Sequence, residues 1–171
     1  MEFYIAQGIS ILTCVVAIIM MQFKSMKKIL IGQIIANLLT ASTYFLLGGI
    51  SGAGICFIAI IQTTVMFILN KKNISVHTAV VALFIFLYIG CSIVYYKTPV
   101  DILSALAAVC FAISVIQSKP SLSRIWYSFN PLCWIIYDIF NLAYVNLAMH
   151  LVVFVSVVIS ILRNDLKKNV N

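Results

Sequence analysis

The chain has 171 residues, 64% of them hydrophobic and 9% charged, with a net charge of +7 and a mean hydropathy of +1.15. A soluble domain carries about 45–50% apolar and about 25% charged residues, so a water-soluble fold is excluded and an integral membrane protein is implied. The positive charge does not point to nucleic acid: it sits in short clusters between apolar runs, the pattern that orients membrane proteins, and no RNA- or DNA-binding motif accompanies it.

A helix needs about 20 residues to cross the hydrocarbon, within a range of about 17–25. Apolar runs predict seven spans, at 3–22, 29–49, 51–69, 75–95, 100–117, 125–144 and 147–162. Glu2 stands where a signal peptide would carry basic residues, so the first run reads as a span rather than a cleaved leader. Gly48, Gly49, Gly52 and Gly54 cluster between the second and third runs and predict a tight turn there. The joint between the sixth and seventh runs, placed near Val145–Asn146, has no charge or proline to mark it.

Seven spans with the N-terminus outside put Lys24, Lys27, Lys28, Lys71, Lys72, Lys119, Arg124, Arg163, Lys167 and Lys168 in the cytoplasm, leaving Lys97 outside. An even number of spans would move the last three basic residues outward, against the positive-inside tendency. The expected fold is therefore all-α and polytopic, with a cytoplasmic C-terminus.

The chain also matches itself. Asn37 and Asn130 lie 93 positions apart, and the same shift pairs Ser25 with Ser118, Leu39 with Leu132 and Tyr44 with Tyr137. The connectors "KSMKK" and "QSKPS" coincide in that register. This predicts two parallel three-helix units, over 1–73 and 99–171, joined by a linker helix over 74–98, a 3+1+3 transporter arrangement.

Polar stripes follow the same plan. At about 100° per residue, Gln33, Asn37, Thr40 and Tyr44 share one face of the second span. Asn130, Tyr137, Asn141 and Tyr144 share one face of the sixth. Asp138 borders that second face, inside "CWIIYDIFNLAY". A carboxylate at such depth must be paired, hydrated or protonated, so it is expected to face the interior.

The residues leave two readings open. Gln33, Asn37, Tyr44, Asn130, Tyr137 and Asn141 bind a small polar solute near mid-membrane, with Asp138 coupling a proton or cation. Alternatively the amides only hold helices together, in a receptor, immunity factor or assembly partner. His150 is a candidate proton carrier or an inert interfacial side chain. No Ser/His pair, H-E-x-x-H or paired carboxylates appear, which argues against an enzyme. Cys14, Cys56, Cys91, Cys110 and Cys133 all fall in apolar runs without a C-x-x-C pair and read as buried hydrophobes. No metal and no cofactor is expected, the lipid bilayer is the one certain partner, and a homo-oligomer stays open.

The stretch "PLCWIIYDIFNLAYVNLAMHLVVFVSVVISILRND" resembles the closing segment of the YgjV-type bacterial inner-membrane proteins, through Trp134, Ile136, Tyr137, Asp138, Arg163 and Asp165. "QFKSMKK" and "TYFLLGGISGAG" resemble that family's first half. Asp138 stands where the pattern usually has an amide, and Met149 and His150 stand where an acid is usual. The family is distantly similar to the PQ-loop and SWEET-like proteins. That likeness implies the same three-one-three helices, an inner-membrane location and, in many members, solute transport. Their Pro-Gln hallmark is missing: the prolines are Pro99, Pro120 and Pro131, and Pro131 is expected to loosen the cytoplasmic end of the sixth span.

Overall fold

The computed structural model describes the backbone over residues 2–46, 50–94, 96, 98–140 and 144–166, with the side chains of these residues except at 50–52, 101, 138, 144–146 and 166. Over them the chain forms seven helices: α1 (Glu2–Gln22), α2 (Met26–Leu46), α3 (Ile50–Lys71), α4 (Thr78–Val94), α5 (Asp101–Ile116), α6 (Pro120–Phe140) and α7 (Tyr144–Ile161). A single π-helical turn, Leu162–Leu166, closes α7. All-helical architecture follows from the solvent: in hydrocarbon every backbone amide must be satisfied within its own segment.

The outer face of the bundle is apolar, and polar side chains are buried within it. Phe45 is 81% exposed, Val94 75% and Phe86 72%, whereas Gln62, Thr63, Ser114 and Ser160 have no exposure at all. Exposed aromatic and branched side chains on this scale suit lipid and not water. Four segments are long and apolar enough to span, Glu2–Gln22, Met26–Leu46, Ala53–Lys71 and Leu147–Asp165, while Thr78–Val94 and Ile102–Ile116 are apolar but shorter. Helix α6 is the amphipathic one. Ile125, Trp126, Phe129, Ile136 and Phe140 face outward, while Ser123, Arg124, Tyr127 and Cys133 are buried.

The boundaries have local causes. Helix α3 stops at a left-handed Asn73 with φ of 54°, and the Ile74 amide reaches back to the Leu69 carbonyl at 3.0 Å. This is the helix-ending motif in which Asn replaces the usual Gly. Helix α6 starts at Pro120, five residues before the expected span, because proline at a first helical position gives up no hydrogen bond. The earlier start carries the joint earlier too: α6 ends at Phe140 and α7 is under way at Tyr144, so Val145–Asn146 lies inside a helix and not between two. The expected glycine turn also sits partly within a helix, since Gly52 and Gly54 belong to α3; Gly48 and Gly49 lie outside the described residues.

Neighbours in sequence are neighbours in space: α1 packs on α2, α2 on α3, α5 on α6 and α6 on α7. Helix α4 bridges α3 and α5, and the bundle closes where α1 meets α7 and α3 meets α5. At the α1–α2 contact Gly32 lets the helices approach closely, for a Cβ there would collide with the Cβ of Met20. The common core includes Met20, Met21, Ile29, Leu30, Tyr88, Phe111 and Val157. The five cysteines are free thiols, with Cys56, Cys110 and Cys133 buried.

Candidate functional site

A cavity of about 290 Å³ lies inside the bundle, and all seven helices contribute to its wall. Helix α1 supplies Gln7, Ser10 and Thr13, and α2 supplies Gln33, Asn37, Thr40, Thr43 and Tyr44. The α2 stripe read from periodicity is thus one wall of a real space. Across it stand Asn130, Pro131 and Trp134 of α6, Tyr88 of α4, Phe111 of α5 and His150 of α7. Between Gln7 and Met20 the wall runs about 20 Å along α1 at 1.5 Å per residue, so the cavity is deep. No Asp, Glu, Lys or Arg lines it among the described residues.

The wall's polar groups differ in what they can still offer. The hydroxyls of Ser10 and Thr13 donate to carbonyls one turn back, Ala6 and Ile9, at 3.0 and 2.9 Å. Those of Thr40 and Thr43 donate to Ala36 and Leu39 at 2.9 and 3.2 Å. With their protons committed, these oxygens present only lone pairs to the cavity. Asn37 Nδ2 donates to its own helix at the Gln33 carbonyl, 2.8 Å away. Asn130 Nδ2 crosses to the Ala107 carbonyl of α5 at 2.9 Å, so Asn130 has a helix-packing role as well as a place on the wall, whereas the Asn37 bond joins no second helix.

Gln33 is different. Its side chain is 1% exposed, and neither Oε1 nor Nε2 has a hydrogen-bond partner in the protein. The buried Tyr88 hydroxyl is likewise unpartnered. Buried polar atoms are almost always paired; Gln33 and Tyr88 are the two residues with unpartnered side-chain atoms among the described residues of the cavity lining.

Tyr137 is not on the wall, contrary to expectation. Trp134 takes that place, with the Tyr137 ring behind it at 5.4 Å in an edge-on arrangement and His150 stacked on it at 5.9 Å. The two rings differ in depth along α6: Trp134 lies one turn nearer to Asn130 than Tyr137 does, and Pro131 stands between. Pro131 itself is in mid-helix, not at an end, and removes the amide that would have bonded the Tyr127 carbonyl. Asn141 and the side chains of Asp138 and Tyr144 lie outside the described residues.

One end of the bundle is tied by a second polar group that the sequence reading did not single out. Arg124 is 1% exposed. Its Nε donates to the Met21 carbonyl at 2.9 Å, Nη2 donates to the Phe23 carbonyl, and Nη1 meets Asp165 Oδ1 at 2.7 Å. These carbonyls end α1, where a cation is favoured by the exposed C=O groups and the helix dipole. Gln22 donates to Ser156 Oγ at 3.0 Å and accepts from Arg163 at 2.7 Å, while Ser160 donates to the Met21 carbonyl. Helices α1, α6 and α7 are therefore latched together below the cavity. Only the Arg163-x-Asp165 spacing hinted at this in the sequence.

A bundle of this kind in a lipid-facing shell has a family. The chain belongs to the Imp-YgjV family of bacterial inner membrane proteins. The match spans residues 4–168, which is nearly the whole chain. It is accordingly a multi-pass protein of the bacterial inner membrane. Nothing among the curated proteins matches the chain, and no solved structure does.

Proposed function

We propose that this Imp-YgjV protein is a small-solute transporter or facilitator whose site is the cavity between α1–α3 and α5–α7. The observation that carries this is the cavity itself: about 290 Å³, with amides and hydroxyls set among apolar side chains on its wall, in a bundle whose outer face is apolar. Its volume approaches the range of small-molecule sites, about 300–1,000 Å³. A bundle held together only by interhelical amides has no need of such a space.

The reading extends to the remaining expectations. The N-terminus faces the periplasm and the basic connectors face the cytoplasm. The two units are copies in the 93-residue register of Asn37 and Asn130, in keeping with the matched contacts of α1 with α7 and α3 with α5. Asn37 and Asn130 contact the solute from opposite units, Tyr44 flanks them, and Asp138 couples a proton or cation. The Arg124–Asp165 latch is then the cytoplasmic gate, and alternating access requires it to part. The Asn130 bond to a carbonyl of α5 favours the second reading, a receptor or assembly partner with amides as glue.

Osmotic swelling of proteoliposomes separates the two. The transporter admits one or more small neutral solutes faster than protein-free vesicles do, and Asn37→Leu with Asn130→Leu slows that entry. Vesicles as tight as lipid alone to every solute tested would leave the second reading.

A further inference from the structure

We infer that the cavity selects an uncharged solute bearing a primary carboxamide, a ureide or a lactam edge, read by Gln33 and seconded by Tyr88; this rests on the cavity being a solute site.

The Gln33 carboxamide is nearly fully buried with both its donor and its acceptor unpaired. Its two polar atoms lie side by side in one plane, so a single ligand group satisfies both only if it also presents a donor beside an acceptor. An amide or lactam does this, as an adenine edge does for glutamine in nucleic-acid recognition. An ether or an ammonium does not; a vicinal diol can, but it lacks the flat ring that the Phe111 and Trp134 surfaces suit. The rest of the wall tilts the choice toward donor-rich solutes. Ser10, Thr13, Thr40 and Thr43 have given their protons to backbone carbonyls and can only accept. Tyr88 adds one uncommitted hydroxyl, on a helix that belongs to neither three-helix unit.

Net charge is disfavoured on the same grounds. Burying an ion without a counter-charge is costly, and no carboxylate or basic side chain stands on the described wall. Phe111 and Trp134 supply flat apolar surface, which suits a planar ring on one side of the hydrogen-bonding edge. Carboxamides, ureides and lactams are planar for the same electronic reason as the peptide bond.

The test is equilibrium binding of radiolabelled nicotinamide and uracil to the purified full-length protein, competed by urea, glucose, glycerol and choline. The expected result is binding of an amide or lactam solute that glucose and choline do not displace. The N,N-dimethyl amide, which keeps the acceptor and loses the donor, binds at least about tenfold more weakly to the unaltered protein, within the discrimination of a bidentate pair. Gln33→Met and Gln33→Leu each weaken binding by about tenfold or more, yet melt no lower than the parent without ligand, because they delete unsatisfied buried atoms. A glutamine serving only as structure would give the opposite melting shift. Equal affinity in Gln33→Met, full affinity for the dimethyl amide, or no binding by any amide overturns the inference. Should glucose cross proteoliposomes while no amide binds, this inference fails and transport stands. Should amides bind through Gln33 while nothing crosses, the site stands and transport fails.

Discussion

Replacing Arg124 by Met removes every donor at the centre of the latch while keeping most of the apolar stem. Three acceptors lose a donor: Asp165 Oδ1 and the Met21 and Phe23 carbonyls. Truncating one side of a buried ion pair costs about 3–5 kcal/mol, mostly because the other charge is stranded. Two features place this case near the lower figure. Asp165 retains 15% exposure and can take up water, and the Met21 carbonyl still accepts from Ser160. About 3 kcal/mol in a chain of this length lowers the melting temperature by roughly 6–12 °C, at about 2–4 °C per kcal/mol. Melting of a fluorescent fusion, followed by size-exclusion chromatography in detergent, reads that shift directly. Asp165→Asn should cost less, because Arg124 keeps both carbonyls and the amide oxygen still accepts. The double variant Arg124→Met/Asp165→Leu should recover part of the loss, since apolar replacement of a whole buried pair is often neutral. Arg124→Met melting within about 2 °C of the parent would refute the view that this guanidinium ties α1, α6 and α7 together.

Gly32→Ala should lower the melting temperature through overpacking worth about 1–3 kcal/mol; the contact is with the Met20 Cβ, so Met20→Ala should give no relief and Met20→Gly should. Asn130→Leu removes the bond to the Ala107 carbonyl and should cost about 0.6–2 kcal/mol, the measured scale for interhelical bonds in membranes, in the same melting assay. If Asp138 couples transport to protons, Asp138→Asn should keep fold and solute binding while abolishing pH-dependent uptake; an unchanged uptake profile against pH removes the role. Cysteines introduced at positions 71 and 167 should react only with reagents that enter the cytoplasm, and periplasmic labelling at 167 would overturn the proposed orientation.

What the sequence determined by itself is whatever depends on one segment meeting its solvent. Seven apolar runs were legible because each must satisfy its backbone alone in hydrocarbon, whatever its neighbours do. The α2 stripe was legible because Gln33, Asn37, Thr40 and Tyr44 are set on one face by helical period, a property of the segment and not of the bundle. The joint after α6 was misplaced because no charge, glycine or proline marks it, and because Pro120 starts that helix earlier than its apolar run does.

Tertiary structure decided the rest, through contacts between residues far apart in the chain. Tyr88 sits in the unbroken apolar stretch "LFIFLYIG", and only the packing of α4 against α3 and α5 brings this residue to the cavity lining. Arg124 read as one more basic connector residue, since two of its partners are main-chain carbonyls about a hundred positions away, and carbonyls leave no mark in a sequence. Trp134, which the sixth-span stripe did not include, lines the cavity in place of Tyr137 because a stripe read from period alone does not say how deep along the helix the opposite walls begin. Gln33 was visible as a polar residue on the correct face, but that both ends of its amide lack a partner is a property of what surrounds it. A segment's own periodicity fixes which way a side chain points; the other helices fix what it finds there.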